Sequence, residues 1–152
     1  MACEYGVNQL RELSETDYKI DLNQGMDVIL LNDEVCEIIK KLKWIKYIRF
    51  SCDKEYQLPY FENLVKLFDK YKIAKSRVFI YVLVQKDLEE ADKRVQKLHK
   101  ICKSFNLYAQ AERNTAKGIL PNKLQLEFAQ RYVYGRSYKK ENFKSYCERH
   151  SL

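Results

Sequence analysis

Val78-Phe79-Ile80-Tyr81-Val82-Leu83-Val84 is the stretch that decides the fold, an unbroken run of β-branched, aromatic and leucine residues. Its composition predicts a strand, and its lack of polar alternation predicts one covered on both faces. Asp87 then opens a helical period, with Leu88, Ala91, Val95, Leu98, Cys102 and Phe105 on one stripe. Beyond it, Leu107-Tyr108-Ala109-Gln110-Ala111 forms a further short strand leading into Glu112-Arg113-Asn114. On the amino side, Ile45-Lys46-Tyr47-Ile48-Arg49-Phe50 reads as a strand ending at Ser51-Cys52-Asp53. Its helix carries Tyr60, Leu64, Leu67, Phe68 and Tyr71 on one face, with Pro59 in the first turn. Earlier still, Tyr18-Lys19-Ile20-Asp21-Leu22 ends at Asn23-Gln24-Gly25. Val35, Ile38, Ile39 and Leu42 follow at helical spacing, with Asn32 or Asp33 as the cap.

Strands that recur about every 30 residues, each followed by a helix, are repeated βαβ units, and such units build a parallel sheet. The expected fold is therefore α/β, a parallel four-stranded βα repeat with C-terminal helices, in one domain over residues 1–152. Residues 1–17 are the lead-in helix, with Leu10 and Leu13 apolar, 18–114 hold the four βα units, and 115–152 are a loop and helices. Within that last part, Thr115 to Lys123 reads as a loop, Leu124 to Tyr134 as a helix ended by Gly135, and 141–149 as a short final helix.

The chain has 152 residues, 46% of them hydrophobic, enough for one packed core and too apolar for a disordered chain. Four glycines and two prolines are too few for the turns of a β-sandwich. No apolar run is long enough to span a membrane and no secretory leader is visible, so a cytoplasmic location without membrane association is expected. The 28 Lys and Arg against 21 acids give a net charge of +7, which favours phosphate-bearing partners of any kind. Most of these charges alternate in sign along helices, as in Glu90-Ala91-Asp92-Lys93-Arg94, and read as solvated faces. The one basic cluster, Arg131 to Arg149, is interleaved with Tyr132, Tyr134, Tyr138, Phe143 and Tyr146. That pattern suits single-stranded nucleic acid, but a C-terminal helix packing its aromatics on the body explains it more cheaply, so nucleic acid ranks last among the partners. Cys3, Cys36, Cys52, Cys102 and Cys147 are widely spaced, with no CxxC pair, and read as free thiols that hold no metal. Neither His99 nor His150 has an acid or cysteine at catalytic spacing.

In parallel α/β sheets, ligands sit at the carboxyl ends of the strands. Here those ends deliver Asn23 and Gln24, then Ser51 and Asp53, then Gln85 and Asp87, then Glu112, Arg113 and Asn114. Such a set makes a rim for a polar small molecule, although polar residues after a strand also cap the next helix. Gly25 would let backbone approach a ligand. Arg49 and Gln110 alternate with aromatics inside strands, and they point either into a cavity or toward an exposed edge. No catalytic residue is identifiable from these patterns.

The segment Asn23-Gln24-Gly25-Met26-Asp27, continued by Leu30-Leu31-Asn32-Asp33-Glu34, resembles the "FNQGLD" and "LL(T/N)DE" stretch of radical S-adenosylmethionine proteins. Ile48-Arg49-Phe50-Ser51-Cys52-Asp53 is similar to that family's next strand, which reads "IRFAFD". The later strands, ending at Val84 and at Glu112-Arg113-Asn114, follow in the family's order over about residues 18 to 146. The resemblance implies a half of the family's TIM-like partial barrel of six βα units, in which three cysteines hold a 4Fe-4S cluster and S-adenosylmethionine yields a radical. By position, it implies cofactor contacts at Ser51, Asp53, Gln85, Arg113 and Asn114. The family's CxxxCxxC loop has no counterpart in the 152 residues. The expectation is thus the carboxyl-side part of such a domain, inactive alone, partnered by the missing amino-side half-barrel or by a second copy. A cluster would be bound only with that missing part. The alternative is a cluster-free module that binds a nucleotide-like small molecule or a protein.

Overall fold

The computed structural model describes residues 4–152 apart from Gln24. In chain order it contains α1 (Glu4–Ser14), β1 (Lys19–Ile20), β2 (Met26–Asp27), α2 (Asp33–Lys41), β3 (Lys43–Trp44) and β4 (Ile48–Cys52). Then come α3 (Leu58–Lys70), β5 (Val78–Val84), α4 (Leu88–Ile101), β6 (Asn106–Ala111), α5 (Lys123–Glu127) and α6 (Phe143–His150). The fold is α/β. The main sheet runs β2-β4-β5-β6 with every neighbour parallel, and β1 pairs with β3 in a separate two-stranded parallel sheet.

The helices begin where their caps place them. Asn32 accepts from the Val35 amide at α2, and Asp87 accepts from the Glu90 amide at α4. One face of the sheet is fully buried: Phe50, Ile80 and Leu107 lie in register across β4, β5 and β6, with Val78, Val82 and Val84 beside them. Phe61, Leu64 and Phe68 of α3 and Ala91, Val95 and Leu98 of α4 belong to the same core. Each of these valine, leucine, isoleucine and phenylalanine side chains contributes roughly 1.5–3 kcal/mol on burial.

The opposite face is open, which corrects the two-faced burial expected of β5. Phe79, Tyr81 and Leu83 alternate with the buried valines and are only half-buried. The run lacked polar residues because these side chains pack on one another: the Phe79 ring lies 4.9 Å from Tyr47 and 5.8 Å from Tyr108. Arg49, also on this face, ion-pairs with Asp21 and is largely covered, as a charge contact rather than an aligned hydrogen bond.

Other expectations shift by residues. The strand expected at 18–22 is reduced to two-residue β1, which pairs with β3 outside the main sheet, and β2, beyond the turn at Asn23, takes its place beside β4. The next strand begins at Ile48 rather than Ile45 and continues through Cys52. Phe61, not Tyr60, fills the α3 core position, and Tyr60 faces solvent. Gly25, at φ +76°, approaches the neighbouring strand rather than a ligand, since a Cβ there would lie 3.2 Å from the Phe50 carbonyl carbon.

The helix expected over 124–134 is α5 followed by a π-helical stretch, Phe128–Val133. Gly135 does not end it by adopting a left-handed conformation; Arg136 does, at φ +64°. Gly135 is needed for space, because a Cβ there would meet the Arg131 carbonyl oxygen at 2.2 Å. Four of the five aromatics of the basic cluster turn inward, and Tyr134 stays exposed. Tyr132, Phe143 and Tyr146 are buried, with ring centroids of Tyr132 and Phe143 5.1 Å apart. The Tyr132 hydroxyl donates to Asp92 at 2.6 Å, and the Phe143 amide donates to the same carboxylate at 2.9 Å. This docks the C-terminal segment on α4. Among the described residues, no helix is long and apolar enough to cross a membrane.

Candidate functional site at the strand ends

The carboxyl ends of β4, β5 and β6 surround a polar cleft of about 340 Å³. Of the residues singled out in the sequence, Asn23, Ser51, Asp53, Arg113 and Asn114 line it together. Gln24 lies outside the described residues. Gln85 does not line the cleft but ties its rim. The Gln85 amide donates to Glu112 at 3.3 Å, and its carbonyl oxygen accepts from the Lys54 ammonium at 3.0 Å, so the ends of β4, β5 and β6 are linked in sequence.

Asp53 is fixed by its main chain and leaves its carboxylate uncommitted. Its amide donates to Gln57 Oε1 at 2.7 Å, and the Lys54 backbone amide donates to the same oxygen at 2.9 Å. Its carbonyl accepts from the Arg94 guanidinium. Half-burial raises the Asp53 carboxyl above its ordinary range, partly offset by the nearby Arg94 and Lys54 charges. Among the described residues no hydrogen-bond or ion-pair partner engages that carboxylate.

Arg94, read in the sequence as part of a solvated charge run, is 2% exposed. Its other terminal nitrogen donates to the Leu83 carbonyl at 2.6 Å and lies 3.3 Å from Glu90. One guanidinium from α4 therefore pins the ends of both β4 and β5. Gln125, also buried, donates to the Val84 carbonyl at 3.4 Å from the far side. Asn114 lines the cleft, but its side-chain oxygen accepts from the Lys117 amide at 3.2 Å, so it shapes a turn as well.

Glu112, part of the strand-end rim, and Gln110, expected to face either a cavity or an exposed edge, also line the cleft; Tyr81 and Leu83 line it too and were not chosen from the sequence. The period-two alternation of β5 places Tyr81 and Leu83 on the face opposite the valines, and that was the signal available for them. Register completes it: Ser51 pairs with Tyr81, and Tyr81 with Tyr108.

The described cysteines do not make a metal site. Cys36, Cys52 and Cys102 are buried, and burial pushes the thiols of Cys52 and Cys102 up to about 12 and that of Cys36 up to about 11. Among the described residues, no three histidines, cysteines or carboxylates stand close enough together to hold an ion. The cleft combines two carboxylates, a guanidinium, amides, a hydroxyl and a tyrosine ring. Such a set can accept from a diol or an ammonium, donate to a carboxylate and flank a flat ring.

Comparison with known proteins adds no relative: no protein-family model, no curated protein and no solved structure matches the chain.

Proposed function

We propose that this chain is the carboxyl-side part of a radical S-adenosylmethionine-type domain, and that its strand-end cleft holds the nucleoside and amino-acid parts of S-adenosylmethionine. The observation that carries the reading is the meeting of Asn23, Ser51, Asp53, Arg113 and Asn114 on one cleft. It is supported by a parallel sheet whose strands follow one another in chain order, with one face packed under helices and the other open. That arrangement suits a half-barrel. The Asp53 carboxylate would accept from ribose hydroxyls, Arg113 would donate to the ligand carboxylate, and Tyr81 and Leu83 would flank the adenine.

The radical chemistry of such domains is supplied by an iron-sulfur cluster, which the described cysteines do not fit, so no step is assigned to it here. This chain's own part is to bind and orient the nucleoside, and on its own it binds without turnover. Isothermal calorimetry with S-adenosylmethionine and S-adenosylhomocysteine tests the reading. Saturable heat at about 1 mM ligand, lost in Asp53→Asn and in Arg113→Ala, is the expected result. Absence of heat with both ligands would remove the reading.

A further inference from the structure

The strands have a second cleft at their opposite, amino ends. It encloses about 450 Å³ and is lined by Lys46, Tyr47, Phe79, Tyr134, Arg136 and Lys139, among others. No carboxylate lines it. Eleven ion pairs neutralise lysines and arginines elsewhere among the described residues, and none of them involves Lys46, Arg136 or Lys139. Three cations thus converge without acidic partners in a chain whose net charge is already +7. Arg136 sits at φ +64°, a backbone conformation rare for a residue with a side chain, and it is where the π-helical stretch turns back over the cleft.

The same cleft opens onto aromatic rings. Tyr47, Phe79, Tyr108 and Tyr134 form a continuous row across the open sheet face, with successive centroids 4.9, 5.8 and 5.3 Å apart. Tyr134, at the end of the row, is 61% exposed. A row of rings beside unpaired cations is the surface that stacks bases while neutralising phosphates, with little regard to sequence.

We infer that this face binds single-stranded nucleic acid, with phosphates on Lys46, Arg136 and Lys139 and bases stacked from Tyr134 toward Tyr47. The occupant follows from charge complementarity: an acid-free, cation-lined cleft favours a polyanion, and the stacking row favours one that carries bases. Tyr134, Arg136 and Lys139 come from the basic aromatic cluster weighed in the sequence, whose Tyr132, Phe143 and Tyr146 are instead buried in the core and take no part in the site. It lies at the opposite strand ends from the cofactor cleft and does not rest on that assignment.

Fluorescence anisotropy of a labelled twelve-residue oligothymidylate with the purified full chain tests this inference. Binding should weaken steeply as salt rises. Tyr134→Ala, at an exposed position, should weaken it by roughly 5- to 100-fold. Lys46→Ala with Lys139→Ala should weaken it and lower the slope of log affinity against log salt by about 1.4. Unchanged circular dichroism would show that both variants are folded, and Lys46→Gln with Lys139→Gln repeats the charge test if they are not. No anisotropy change at about 50 mM salt would overturn the inference, as would variants that bind within twofold of the parent. Competition by adenosine monophosphate at the oligonucleotide's own affinity would also overturn it, giving the cleft to a free nucleotide.

Discussion

Asp53 and Arg94 show how single residues build the cleft and what they cost the fold. The Asp53 carboxyl is raised by half-burial, so the folded chain holds its proton to higher pH than the unfolded chain does. Stability associated with this group therefore falls as pH rises through that interval. Asp53→Asn is predicted to raise the melting temperature at pH 7 while removing ligand binding, and the gain should vanish at acid pH, where both states carry a neutral group. Thermal melts at two pH values check this. Arg94→Met is predicted to cost roughly 2–4 kcal/mol in urea unfolding, since it strips donors from the Asp53 and Leu83 carbonyls. The placement of Arg94 was open to sequence reading: it stands three residues after Ala91 and four before Leu98, on the stripe that the helix buries. Reading it as one member of a charge run hid that. The edge-to-face contact of Tyr81 with Tyr108 was not open to it, because the pair is made by strand register and not by spacing along the chain.

At the scale of elements, legibility follows length. β5 and α4 are long and strongly patterned: β5 keeps its expected bounds, Val78–Val84, and α4 starts where expected but stops at Ile101, leaving Cys102 and Phe105 of the expected stripe beyond the helix. β1, β2 and β3 have two residues each, too short for any periodicity to register. In α3 the pattern is ambiguous by one residue: Tyr60 and Phe61 both stand at helical spacing from Leu64, and only packing selects Phe61. Phe61→Ala is predicted to cost about 3–5 kcal/mol, and Tyr60→Ala to stay within about 0.5 kcal/mol of the parent. Denaturant midpoints separate the two. At the end of the π-helical stretch, Gly135→Ala is predicted to destabilise by about 1–3 kcal/mol, because its Cβ would sit against the Arg131 carbonyl oxygen.

For the molecule as a whole, the order of parallel strands puts two chemically different clefts at the two ends of one open sheet face. The carboxyl-end cleft mixes acids, amides and a guanidinium, whereas the amino-end cleft is aromatic and basic. Most of the first was readable, since strand ends in a βα repeat are ligand positions by topology. The second depends on Tyr134 and Arg136 folding back from the C-terminal segment beside β6, a contact between distant parts of the chain. The main sheet ends at β6 on one side and at β2, only two residues long, on the other, and α1 contributes Val7, Leu10 and Leu13 to an apolar cleft beside Met26. A short edge offers little template for strand pairing. The most direct test of the cofactor assignment is backbone amide NMR of the chain during titration with S-adenosylmethionine. The account predicts saturable shifts at Ser51 to Lys54, at Tyr81 to Gln85 and at Gln110 to Asn114, with Tyr134 to Lys139 unmoved. Unchanged spectra, or shifts confined to the amino-end cleft, would contradict it.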